Sequence, residues 1–249
     1  IDEKTGAAPL ELSDVDLVMR NGLARHDLRL DATPPAQAGA RFTLMGRFTQ
    51  PLLSQRSNWR RWHGTLFAEL PQADAAAVAA WLPPLPVQAR AGAGALRAWI
   101  DVRDGQPQAV TADVALRDVA LHFPGPDKLL SLDRLQGRVA AQRDGRTLRF
   151  SADGLTFAAS DIDWPATHLT LALREADRPL AAPVAASAPV WAFDGGEFSA
   201  DRLDLAALAR LAAQLPLGAA IDTLLSDLLP SGMVRDLSAR WDGPAGAPT

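Results

Sequence analysis

The chain has no cysteine. That excludes disulfides, thiolate catalysis and cysteine-ligated metals, and says little about compartment. It has no basic excess: 25 Lys and Arg stand against 29 Asp and Glu, a net charge of -4 with both signs interspersed. Nucleic-acid binding needs a basic footprint, so that partner class is set aside. No run approaches the roughly 18 consecutive apolar residues of a membrane-spanning helix. No basic start with an apolar core marks a signal peptide. Histidine is scarce. His26, His63, His122 and His168 show no metal-ligand spacing, and none adjoins another. The GxSxG, GxGxxG and Gly-rich Lys-Ser/Thr patterns are missing. Gly92-Ala93-Gly94 is too short for a phosphate loop. Neither an enzyme nor a cofactor is implied.

What the chain does contain is strand text. Its 249 residues are enough for one full core, one long sheet or two small domains. Apolar residues make up 48% and charged ones 22%, the balance of a folded chain. Residues 1–8 read as a frayed terminus. Leu10 to Met19, Leu28 to Ala32 and Ala40 to Thr49 alternate and predict strands. Residues 51–58 predict a loop. From Trp62 to Val102 the text reads strand, short helix, proline stop, strand. Asp74 is a good N-cap for Ala75 to Leu82, Pro83-Pro84 stops that helix, and Val87 to Gly94 is a Gly/Ala connector.

Leu96 to Leu173 is almost continuous strand. Asp104-Gly105 and Asp144-Gly145 are hairpin-turn dipeptides. Apolar residues sit on even numbers from Val110 to Leu116 and on odd numbers from Val119 to Phe123. That change of parity predicts a bulge or bend near Arg117-Asp118. Leu132 to Ala141 pairs with Thr147 to Ala152, Leu155 to Ile162 continues as strand, and Leu169 to Leu173 alternates cleanly. Short turns between successive strands predict an antiparallel meander.

Ala176 to Pro189 is rich in Ala, Pro and Ser and reads as a loop or linker. The Trp62 unit then recurs. Trp191, Gly195 and Phe198 lead into a helix from Asp204 to Gln214, with Leu205, Leu208, Ala212 and Leu215 on one face. A second helix runs from Ala219 to Leu229, and a strand from Val234 to Trp241. The expected organisation has four parts. Residues 1–175 form an antiparallel β segment with one helical insert, and 176–189 a linker. Residues 190–243 form a strand–helix–helix–strand unit continuing the sheet, and 244–249 a disordered tail. The chain starts at Ile1 and is expected to be a piece of something longer, with any anchoring segment outside it.

Chemistry is thin. Asp14/Asp16 and Asp161/Asp163 are pairs that face one side of a strand, yet no further ligands stand near them. Acting as a hydrolase would require two carboxylates across one cleft at roughly 5–9.5 Å. The seven Trp fall at element ends and read as corner anchors, not a sugar platform. What remains is apolar surface with a direction. Leu96, Ala98, Ile100 and Val102 form one row. Val114 and Leu116, Leu148 and Phe150, and Leu169, Leu171 and Leu173 form others. Either the sheet folds into a closed β-sandwich and buries these rows, or it stays an open groove whose apolar face takes acyl chains.

Several motifs carry a resemblance: Trp62-x-Gly64 with Phe67, Trp81-Leu82-Pro83, Gly94-x-Leu96-Arg97-x-Trp99-x-Asp101-Val102, Ala112 to Val119, and Gly196 to Leu205 with Leu215-Pro216-Leu217. In this order they resemble the YhdP branch of the AsmA-like superfamily, large envelope proteins of Gram-negative bacteria. The resemblance covers roughly residues 10 to 243. It implies an inner-membrane anchor outside this segment and a long β-groove crossing the periplasm. It implies phospholipid carried between inner and outer membrane, with no catalytic motif, no cofactor and no metal. The implied partners are phospholipid acyl chains, the remainder of the same long chain, and other envelope proteins. The candidate lining is Leu96, Ala98, Ile100, Val102, Val114, Leu116, Leu148, Phe150, Leu169, Leu171 and Leu173. The stretch from 204 to 229 is expected to cap or plug the groove.

Overall fold

The computed structural model describes residues 11–50, 59–79, 87–123, 128–160, 162–176, 193–212, 214 and 230–243. Among these, eleven strands form one sheet in strict sequence order, every neighbour antiparallel. The strands are β1 (Ser13–Asn21), β2 (Arg25–Thr33), β3 (Phe42–Thr49), β4 (His63–Asp74), β5 (Gln88–Arg103), β6 (Gln106–Phe123), β7 (Lys128–Asp144), β8 (Thr147–Ala159), β9 (Ile162–Glu175), β10 (Phe193–Asp204) and β11 (Met233–Asp242). Helix α1 (Ala75–Ala79) follows β4, and α2 (Leu205–Ala212) follows β10. The architecture is mainly β, an open meander not closed into a barrel. The closed sandwich is therefore set aside: one sheet with two free edges has no facing partner sheet.

Both helices start on an aspartate. Asp74 Oδ1 accepts the backbone N–H of Ala77 at 2.9 Å, and Asp204 Oδ1 accepts that of Ala207 at 3.0 Å. Each satisfies one of the orphan donors of a first helical turn. The Asp104-Gly105 loop has positive φ at both residues, as a right-twisted two-residue hairpin demands.

The parity change in β6 falls where the alternation places it. Asp118 is in the left-handed region at φ 52, and the β5–β6 register slips between Ala91 and Ala93. One residue of β5 thus opposes two of β6, and Val119 turns to the same side as Leu116. Gly154 (φ 59) does the same in β8, whereas Asp236 (φ 52) leaves the β10–β11 register unbroken.

Three expectations are corrected. Gly92 and Gly94 belong to β5 and are not a connector. Their φ values of 142° and 154° bring the strand close to β6, where a Cβ on Gly94 would lie 2.1 Å from the Ala115 carbonyl oxygen. Leu155 to Ile162 is two strands, not one: Ser160 (φ 50) turns the chain, and Ala159 pairs with Ile162. In α2 the inward residues are Ala207 and Leu211, with Leu208 packed beside them, so the buried stripe is rotated from the one through Leu205. The predicted loop 51–58, residues 80–82 of the first helix, the linker to Pro189 and the helix from Ala219 to Leu229 lie outside the described residues.

The core lies on one side of the sheet. Leu116, Val119, Leu130, Leu132, Ile162, Trp164, Ala200 and Leu203 pack around Ala207 and Leu211 of α2. Strands from β6 to β10 therefore share one cluster with α2, which lies directly against β9 and β10. A second, smaller cluster is Ala68, Ala98 and Ala112, with Leu44, Leu70 and Leu96 against it.

Candidate functional site

The register resolves the two faces residue by residue, because directly paired residues share a face. One row crosses all eleven strands as Leu17, Leu30, Leu44, Ala68, Ala98, Ala112, Val139, Ala152, Leu169, Ala200 and Leu237. The next row on that face is Met19, Leu28, Gly46, Leu66, Ile100, Val110, Ala141, Phe150, Leu171, Phe198 and Ala239. Neither row contains a polar side chain. Ten gaps of about 4.8 Å make each row roughly 48 Å long, several times the ~15 Å depth of one bilayer leaflet.

All eleven candidate lining residues lie on this face. Leu96 pairs with Val114, Ala98 and Ile100 stand in the two rows, and Val102 is paired with Gly64 beyond them. Leu116 pairs with Leu135, Leu148 with Leu173, Phe150 with Leu171, and Leu169 with Ala152. Ala98 and Leu116 are buried; the other nine are half-buried. The structure adds Leu30, Leu44, Leu66, Val139, Phe198 and Leu237 to the face. Alternation within each of their strands carried the signal, but only a register across all eleven strands joins them. Alanine dominates the middle of the first row, where side chains on an inward-curving face converge.

The opposite face is polar, as period-two alternation requires. Ion pairs run along and across its strands: Arg29 to Asp31 at 2.6 Å within β2, and Arg97 to Glu69 at 2.8 Å and Arg138 to Asp113 at 2.6 Å between strands. His168 then stands between Asp153 (2.5 Å) and Asp201 (3.4 Å). The Arg29 guanidinium and the Thr43 hydroxyl hold Asp31 at about 2, below its ordinary 3.8. Asp113 is lowered by hydrogen bonds from Arg138, and Asp201 by the backbone N–H of His168. These solvent-facing pairs contribute little stability and serve mainly to keep this face in water.

Among the described residues the aspartate pairs gather no site, and Asp161 lies outside those residues. Asp14 takes a left-handed backbone (φ 48), Asp16 binds Arg41 at 2.6 Å, and Asp163 faces Arg134 at 3.8 Å. No cluster among the described residues could hold a metal ion. Of the tryptophans, Trp62 stacks on His26 at 4.3 Å at the edge of β4, and Trp241 lies over Gly196 near the end of β11. Trp164 is buried near the start of β9, stacked on Phe157 beside the turn at Ser160, whereas Trp99 sits in mid-strand on the polar face and is not a corner anchor. Trp81 and Trp191 lie outside the described residues.

No helix among the described residues is long and apolar enough to cross a membrane. No curated protein and no solved structure matches the chain. The model of one family, described as YhdP protein, matches residues 2–248, and the chain belongs to that family.

Proposed function

We propose that this chain is one stretch of a periplasm-spanning lipid conduit, part of an inner-membrane-anchored protein, whose apolar face carries phospholipid between inner and outer membrane. The observation that supports this reading is the pair of all-apolar rows across eleven strands, left half-exposed over most of their length. An apolar surface of that extent needs a covering, and α1 and α2 reach only part of it. Acyl chains supply one without directional bonding, which suits cargo that must slide. The role is non-enzymatic. The face meets phospholipid acyl chains, and the strand edges meet the remainder of the same long chain and other envelope proteins.

Organic extraction of the purified chain, followed by mass spectrometry, tests this. Phospholipid in stoichiometric amount is expected, and an Ile100→Asp variant is expected to fold with most of it lost. A folded wild-type chain that yields no phospholipid, and binds none from fluorescent phospholipid micelles, overturns the reading.

A further inference from the structure

We propose a second site on the polar face, a trench over β1 to β5 that takes an acidic protein segment bearing apolar anchors. Its floor is one register row: Val18, Arg29, Met45, Phe67 and Trp99. Val18 is 50% exposed, Trp99 40% and Met45 38%. None of these belongs to either core cluster. The same row continues through β6 to β11 as Thr111, Ala140, Ser151, Thr170, Ser199 and Ser238. Small and hydroxyl side chains therefore satisfy the fold at equivalent positions. The large apolar ones on β1 to β5 need another reason.

Trp99 is held in place before any partner arrives. The Phe67 ring lies 5.4 Å from it, and the Arg138 guanidinium 5.7 Å from its centroid. Such pre-organisation lowers the entropic cost of binding. The trench offers about 620 Å³, and its walls carry Arg20, Arg25 and Arg47 with Asp27. Counting Arg29 and its partner Asp31, four guanidinium groups face two carboxylates. Arg25 and Arg47 share Asp27, Arg29 turns to Asp31, and Arg20 makes no ion pair among the described residues. The surplus is positive, so the complement is acidic. Trp, Phe, Met and Arg are the residue types enriched where proteins recognise proteins. The trench is open to solvent along the sheet surface and does not enclose its contents, which favours an extended protein segment. The site is independent of the conduit reading, because it lies on the other face.

The test is fluorescence anisotropy on the whole chain, using a labelled peptide of about ten residues that alternates Glu and Phe, and its Lys-for-Glu counterpart. The acidic peptide is expected to bind at least about tenfold more tightly than the basic one, and to weaken at about 0.5 M salt. Trp99→Ser with Arg47→Glu is expected to weaken it about tenfold or more. Ile100→Asp, on the apolar face, is expected to leave it unchanged. Arg20→Glu, on an exposed residue, reads the charge contribution if the double variant loses its circular-dichroism signal. Equal affinity for both peptides, no binding, or loss in Ile100→Asp instead of the trench variants overturns the proposal. So does a trench-dependent affinity for phosphatidylglycerol vesicles that exceeds the affinity for the acidic peptide.

Discussion

The strand–helix–strand unit occurs twice, as β4–α1–β5 and as β10–α2–β11, and the copies differ in what the helix covers. Both helices leave the same side of the sheet, both begin on an aspartate cap, and both are followed by a strand that pairs with the one before. Yet α1 has five residues and buries none of them, while α2 has eight and buries Ala207 and Leu211 almost completely. α1 sends only Ala75 against the edge of the large cluster, near Val119. Beside α2, strands from β6 to β10 share that one cluster. The lesson is that one local pattern serves two ends. A short helix finishes a strand and leaves the face open, whereas a slightly longer amphipathic one closes it.

The largest expected effect breaks this comparison directly. Leu211 is 2% exposed, so Leu211→Ala removes a fully packed side chain and is expected to cost about 2–5 kcal/mol in urea unfolding. Val78→Ala in α1, at a half-buried position, is expected to cost well under half as much. Equal losses would mean that α1 is as much a part of the core as α2.

A smaller effect sharpens it. Asp204→Ala and Asp74→Ala each remove one cap, worth about 1 kcal/mol. The α2 cap is expected to show its full value in global unfolding, because α2 is packed into the cluster. The α1 cap is expected to show less, because a helix of five residues frays without disturbing the sheet. Hydrogen exchange at Ala77 and Ala207 reads the same difference locally. Faster exchange at Ala207 than at Ala77 in the wild-type chain would reverse the assignment.

Much of this was legible in the sequence. Period-two alternation fixed the strands, Asp-Gly fixed the hairpin at Asp104, and the even-to-odd shift located the bend at Asp118, because an apolar residue on the wrong parity must be turned back by one residue of slack. The capping aspartates were legible for the same local reason. Elements set by long-range contact were not. Gly92 and Gly94 look like a connector because glycine weakens a strand, and only the closeness of β6 explains them. Ser160 carries no strong turn signal. The stripe of α2 depends on the angle at which the helix meets β9 and β10. Alternation puts Trp99 with Arg97 and Asp101, opposite the row from Leu96 to Val102, but only the register joins it to Phe67, Met45 and Val18. The candidate face was legible row by row, but its continuity from β1 to β11 is a property of the register alone.

The smallest effect compares the polar faces of the two halves. Asp31, on β2, is held at about 2 by Arg29 and Thr43. Asp201, on β10, is lowered chiefly by one backbone N–H from His168. A carboxyl whose folded pKa lies below its unfolded value stabilises the fold above that unfolded value, and the contribution is lost as pH falls through the folded one. For Asp31 that window runs from 3.8 down to about 2. Both groups lie on the solvent-facing side, half-buried among their partners, and the change is read as a slope in acid unfolding. Asp31→Asn is expected to flatten the slope in that window, with little change at neutral pH beyond the lost ion pair. Asp201→Asn is expected to flatten it less, since the wild-type Asp201 carboxyl is displaced less from its ordinary range than that of Asp31. If the two variants flatten the slope equally, the Arg29–Thr43 pairing adds nothing over a single hydrogen bond, and the outer face is held by solvation alone.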